Sequence, residues 1–240
     1  MKKRNGWTPT KFERDAKGRL RASRNTHEVG VASRLIADTI AVWYDANIKE
    51  FAKGKLLDLG CGKAPLYDTY SPFVDEITLA DWANSLHKNK YLDVECDITK
   101  KLPFKNNSFD TIILSDVLEH IPNPNDVMKE VHRILKPNGI VLMNAPFFYW
   151  LHEVPHDYNR YTEFMIRKMI EDNKMQVIKI EAPVGGWAVL IDLTSKLLIQ
   201  HPRLVNLIQK IGPRIFAKRL KIRTEFPLLY AAVFQKGPQK

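Results

Sequence analysis

Apolar runs and amphipathic stretches take turns along most of this chain, and the change of period marks its elements. Over 31–51, Leu35, Ile36, Thr39, Ile40, Trp43 and Tyr44 recur at three- and four-residue steps, which predicts a helix with one apolar stripe. Short apolar runs at 56–59, 76–80, 91–96, 110–114, 140–145, 176–181 and 228–234 predict seven strands. Between them, 126–135 has helical periodicity and stops at Lys136-Pro137-Asn138-Gly139. A further helix is predicted over 162–172, with Thr162 as its N-cap and Glu163 in its first turn. Strands separated by helices predict an α/β fold, a Rossmann-like, doubly wound and mostly parallel seven-stranded sheet. In such a sheet a ligand lies at the carboxyl ends of the strands.

Residues 187–222 break this alternation. Apolar steps at Trp187, Leu190, Ile191, Leu197, Leu204, Leu207 and Ile211 are mixed with Lys196, Arg203, Lys210, Arg214, Lys218 and Arg219. The segment reads as a helical insertion before the last strand. It suits a lid, an oligomer contact such as a homodimer interface, an amphipathic surface at lipid headgroups, or an ordinary packed subdomain. The chain is therefore expected to divide into a basic arm at 1–30 and a domain at 31–240.

The 240 residues, 45% hydrophobic, are enough to bury one α/β core. Their net charge of +10 is gathered at the ends. Residues 1–24 hold nine Lys/Arg against two acids and 196–240 hold ten against one, which leaves the body between them at −6. An acidic body with basic ends points to an anionic partner (nucleic acid, a phosphorylated substrate or a lipid surface) or to solvated tails. No apolar leader and no uncharged run long enough to span a bilayer occur. Cys61 and Cys96 suit a reducing compartment, so the expected location is cytoplasmic, with peripheral membrane contact.

The most specific pattern is Leu56-Leu57-Asp58-Leu59-Gly60-Cys61-Gly62, an apolar strand that ends in a two-glycine turn. Glycine lets backbone approach a nucleotide-like ligand without a Cβ clash. A dinucleotide fingerprint would need a third glycine where Pro65 stands, so a pyrophosphate cradle is poorly supported. Asp81 and Asp97 end the second and third strands, and Phe109-Asp110-Thr111-Ile112-Ile113-Leu114-Ser115-Asp116-Val117-Leu118-Glu119-His120-Ile121 contains the fourth. Singly, each aspartate is as well explained by a cap or a turn.

Together these residues resemble the class I S-adenosylmethionine-dependent methyltransferases, in the group with a type 11 methyltransferase domain, over roughly 54–182 and a closing strand at 228–234. The resemblance implies S-adenosylmethionine as cofactor. It implies Asp58, Gly60, Cys61 and Gly62 at the methionine portion, Asp81 with neighbouring Trp82 at the ribose, Asp97 with Ile98 at the adenine, and Ser115 and Asp116 at the mouth. A carboxylate such as Asp81 can accept from two vicinal hydroxyls with charge-assisted strength. His120 reads as a capping or packing residue beside Pro122.

The acceptor is expected beyond the fifth strand, where aromatic and titratable residues crowd 146–162. The run His156-Asp157-Tyr158-Asn159-Arg160-Tyr161-Thr162 resembles a signature of methyltransferases of the bacterial polysaccharide and glycolipid setting. By that resemblance His156 is the candidate general base and His152 the second candidate, because an alcohol acceptor must lose a proton near neutral pH. Tyr149, Tyr158 and Tyr161 are candidate acceptor-stacking groups and Arg160 a candidate anion holder. The competing structural reading is a hydrogen-bonded knot of His156, Asp157 and Arg160 that fixes the loop. No spacing of His, Cys or Asp along the chain suggests a metal, and none is expected. The reading that results is an O-methyltransferase acting on a saccharide-containing, lipid-linked or small-molecule acceptor. An RNA methyltransferase is the alternative from the basic ends, and a non-catalytic cofactor-binding scaffold is the alternative from fold alone.

Overall fold

Successive side chains of a strand point to opposite faces, and the central strands of this chain are apolar on both. Leu56, Ile113 and Leu142 bury on one face while Leu57, Ile112, Leu114, Val141 and Met143 bury on the other. That pattern requires helices on both sides of the sheet. The computed structural model, which describes residues 6–85, 87, 89–216 and 226–238, has this layered form.

In chain order the elements are β1 (Phe12–Arg14), β2 (Leu20–Ala22), α1 (Arg34–Phe51), β3 (Lys55–Leu59), α2 (Tyr67–Tyr70), β4 (Glu76–Asp81), β5 (Val94–Glu95), β6 (Phe109–Ser115), α3 (Pro124–Ile134), β7 (Leu135–Pro146), α4 (Glu163–Asp172), β8 (Met175–Glu181), α5 (Trp187–Leu197), α6 (Pro202–Phe216) and β9 (Leu229–Lys236). Seven strands form the main sheet in the order β5-β4-β3-β6-β7-β9-β8. β3, β4, β5, β6 and β7 run parallel, and β9 is antiparallel to both β7 and β8. The strand order reverses between β3 and β6, so the switch point opens at the carboxyl end of β3, where the glycine turn lies. The seven predicted strands are all present, although 91–96 shortens to Val94–Glu95.

α1 turns Ile36, Ile40, Trp43, Tyr44 and Ile48 into the core on one face of the sheet. Full burial of such side chains is worth about 1.5–3 kcal/mol each. On the other face, α3 buries Val127, Met128, Val131 and Ile134 and α4 buries Ile166, Met169 and Ile170. Thr162 caps α4 by accepting from the Met165 amide at 3.2 Å.

The basic arm expected at 1–30 is corrected by the structure. β1 and β2 pair as a hairpin, and Phe12, Leu20, Ala22 and Val29 belong to the core under α1. The Ala22 amide donates to Asp38 Oδ1 at 2.8 Å, and Trp7 Nε1 donates to the Ala64 carbonyl at 3.2 Å. Among the described residues, five cations of this segment are also engaged: Arg14 with Asp45, Arg19 with Asp15, Arg21 with Glu13, Arg24 with Asp38 and Lys11 with Asp116. Local charge counting does not reveal the pairs made with Asp38, Asp45 and Asp116, because those acids are remote in sequence. The insertion expected at about 187–222 is helical over α5 and α6, and its remainder from 217 lies outside the described residues.

Candidate active site

The turn after β3 is built by backbone geometry. Gly60 has φ +75°, and a Cβ there would lie 2.7 Å from Val117 Cγ2. Its amide and that of Cys61 donate to the Ala80 carbonyl, which ties the turn to β4. The Gly62 amide donates to Asp81 Oδ2 at 2.8 Å, and the Trp82 amide donates to Asp81 Oδ1 at 2.8 Å. Burial raises the Asp81 pKa against the pull of those two amides. Asp97 is held the other way: hydrogen bonds from Thr99 keep its carboxyl below its ordinary value.

These groups open onto one cleft of about 440 Å³, a size that fits a small-molecule cofactor. Gly60, Cys61, Gly62, Asp81, Trp82, Asp97, Ile98, Ser115 and Asp116 all line it. Asp58 does not. It is 3% exposed beneath the turn, where Tyr70 donates to it at 2.9 Å, and burial raises its pKa to about 7. Its expected place at the cofactor is corrected accordingly: the side chain points into the layer below the turn. A donor with ribose hydroxyls, an adenine amine and a sulfonium cation fits this wall, which offers acceptors at Asp81, Asp97 and Asp116 and backbone at the glycine turn. Burial also raises the Cys61 thiol, and Cys96 to about 11, so both stay protonated and unsuited as nucleophiles.

The opposite wall comes from the loop after β7. His156 lines the cleft with its ring 5.4 Å from that of Trp82, and Tyr158 lines it as well. Of the other acceptor-side candidates, the structure removes three from the cleft. Tyr149 is hydrogen-bonded to Ser33 at 3.1 Å and covered by Lys196 Nζ at 4.2 Å. Tyr161 is 3% exposed and donates to the Leu118 carbonyl. Arg160 binds Asp157 with two nitrogens, at 2.6 and 2.8 Å, and also donates to the carbonyls of Trp150 and Asn159. Its guanidinium is thus committed to the loop.

The expected knot exists with one member changed. Asp157, whose side chain is 2% exposed, receives Arg160, the His152 amide at 3.0 Å and His152 Nδ1 at 3.1 Å. Burial alone would raise Asp157, but these donors outweigh it and hold the carboxyl well below the usual range. His152, and not His156, is the third partner, so His152 sits behind the cleft wall. His156 is free of that knot and faces the cleft.

His120, expected to cap or pack beside Pro122, lines the cleft instead. Its Nδ1 donates to the His156 carbonyl at 2.6 Å. The Glu119 carbonyl accepts from the amides of Tyr158 and Asn159, which straps the loop to the turn after β6. Only the pairing of segments forty residues apart reveals this contact. The sequence signal is present in Glu119-His120 but has no partner within reach along the chain.

Residues 57–143 match the model of the methyltransferase domain family. A ubiquinone biosynthesis O-methyltransferase of Xanthomonas euvesicatoria is 27% identical over 106 residues, 40% of this chain and 44% of that protein. A mitochondrial arginine-hydroxylase of Danio rerio is 28% identical over 92 residues, 36% of this chain and 29% of that protein. The chain thus spans less than half the length of either relative. A solved S-adenosylmethionine-dependent methyltransferase from Mesorhizobium loti superposes with a TM-score of 0.56 at 12% identity, covering 84% of this chain and all of that one. At that identity the likeness speaks to the fold.

Proposed function

From the membership of this chain in the class I S-adenosylmethionine-dependent methyltransferases, with residues 57–143 as the matching domain, we propose that it methylates an oxygen of a saccharide-containing, lipid-linked or small-molecule acceptor. The observation that carries the reading is the division of one cleft between two walls. The wall at the ends of β3, β4 and β6 supplies the glycine turn and the acids, and the loop after β7 supplies an exposed histidine and tyrosine. S-adenosylmethionine, when bound, supplies a methyl carbon already activated by the sulfonium. The chain has then to position an acceptor and take up its proton.

His156 is the group proposed for that proton. Its carbonyl accepts from His120, and Trp82 abuts its ring, so the backbone and ring are held while the imidazole reaches the cleft. Tyr158, 3.4 Å from His156 Nδ1 and half exposed, is placed to touch the acceptor. The Danio rerio relative cautions against reading chemistry from fold alone, and the proposal rests on these side chains.

The lipid-linked acceptor is favoured by α5 and α6. Leu190, Leu193 and Leu197 on α5, and Leu204 and Leu207 on α6, are exposed beside Arg203 and Lys210. Apolar side chains flanked by cations suit an anionic membrane surface. Among the described residues, no helix is long and apolar enough to cross a membrane.

The test is His156→Ala. Binding of S-adenosylmethionine by calorimetry should stay within a few-fold of wild type, while transfer of labelled methyl to a bacterial glycolipid extract should fall about 100-fold or more. Unchanged transfer would remove His156 from the reaction.

A further inference from the structure

Behind the cleft wall, three potential ligands converge from two segments. Donor atoms of Glu119, His120 and His152 all lie within 4.8 Å of one another. Glu119 is completely buried, and neither of its carboxylate oxygens has a hydrogen-bond partner. A buried carboxylate without donors is strongly disfavoured. The neighbouring cations do not relieve it, since Lys11 is paired with Asp116 at 2.6 Å and Arg160 with Asp157 at 2.6 Å. A protonated Glu119 would need an acceptor for its O–H. The nearer candidate, His120 Nε2, is 3.8 Å from Oε1, beyond hydrogen-bond range.

Both histidines are oriented with a nitrogen lone pair available. His120 Nδ1 is fixed as a donor by the His156 carbonyl, which can only accept. His152 Nδ1 is fixed as a donor by the Asp157 carboxylate at 3.1 Å. In each neutral ring the unprotonated nitrogen is therefore Nε2. A carboxylate or carbonyl holding Nδ1 of a histidine is the outer-shell arrangement that fixes a metal-binding imidazole. The two rings sit edge to face with centroids 4.8 Å apart.

We propose that Glu119, His120 and His152 form a binding site for a divalent transition ion of the zinc class. Two imidazole nitrogens and one carboxylate oxygen are a ligand set that such ions accept, with a further coordination position left open. Metal-to-ligand distances of roughly 2.0–2.2 Å require the three donors to close by about 1 Å, which side-chain rotation supplies. His120 also lines the cleft, so the cluster adjoins the place where the acceptor is proposed to bind. That last consequence rests on the methyltransferase reading; the metal site itself does not. Spacing along the chain concealed the site because residues 119–120 and 152 meet only through the strap between the β6 turn and the loop after β7.

The full chain, stripped with chelator and dialysed, is titrated with Co²⁺ and then with Zn²⁺. One equivalent of Co²⁺ should bind with visible absorption bands of a low-coordinate site, and Zn²⁺ should displace it. Glu119→Gln and His152→Asn should each weaken Co²⁺ binding about 100-fold or more, whereas His27→Ala, outside the three-residue cluster, should leave it unchanged. Circular dichroism and calorimetry with S-adenosylhomocysteine report folding and the cofactor wall separately, so a protein that binds cofactor without metal overturns this site alone. Absence of saturable binding of either ion by wild type up to millimolar concentration overturns it. So does binding by both variants as tight as wild type.

Discussion

Gly60 is the residue at which sequence and geometry agree most closely. Its φ of +75°, and a Val117 methyl 2.7 Å from where a Cβ would stand, leave room for hydrogen alone. Gly60→Ala should cost about 1–3 kcal/mol, or roughly 2–12 °C in Tm for a chain of this size. A melt unchanged within a degree would contradict that reading. Asp58 is the residue whose role the pattern concealed. The motif shows an acid beside the turn, but whether the carboxyl faces ligand or core depends on Tyr70, which no local pattern ties to it. A folded-state pKa of about 7 against an ordinary 3.8 means the native state holds the proton more tightly. Stability from this group is full below about pH 4 and is lost as pH rises through about 7. Asp58→Asn should remove that loss, gaining on wild type by as much as about 4 kcal/mol between pH 4 and pH 8 in denaturant titrations. A difference that does not vary with pH would show that the carboxyl is already ionised when folded.

At the scale of the element, the loop after β7 behaves as a folded unit. Asp157 gathers Arg160 and His152, Tyr161 is anchored to Leu118, and the Glu119 carbonyl receives two loop amides. Arg160→Ala leaves Asp157 buried without its strongest partner. The expected cost is about 2–4 kcal/mol, with faster proteolysis inside 147–162. Wild-type resistance to protease in that variant would contradict the anchoring role. The composition of this loop signals function, yet it cannot separate residues that face the cleft from residues that hold the loop. His156 and Tyr158 are of the first kind, and Tyr149, Arg160 and Tyr161 of the second. Elements with a strong period are legible throughout, as with α1 and the apolar central strands. The β1–β2 hairpin is not, because three-residue strands among charges carry no period to read.

At the scale of the whole molecule, α5 and α6 carry exposed apolar side chains at Leu190, Leu193, Leu197, Leu204 and Leu207, whereas Arg14, Arg21 and Arg24 of the N-terminal segment are paired with Asp45, Glu13 and Asp38. The charge balance of the sequence points to two basic ends, and the fold pairs five described cations of the first with acids. In flotation with anionic vesicles, Leu197→Glu combined with Leu207→Glu should reduce the bound fraction severalfold, while RNA retention should be weak for wild type and variant alike. Equal flotation of the two proteins would remove these helices from any lipid contact.

The carboxyl ends of β3, β4 and β6 are proposed to hold S-adenosylmethionine against the glycine turn and Asp81. Calorimetry with S-adenosylmethionine, on wild type and on Asp81→Ala, addresses this placement most directly. One site is expected on wild type, with a Kd at or below about 100 μM, and at least a tenfold loss in the variant. A folded wild-type protein that gives no heat of binding, or a variant that binds as tightly as wild type, would contradict it.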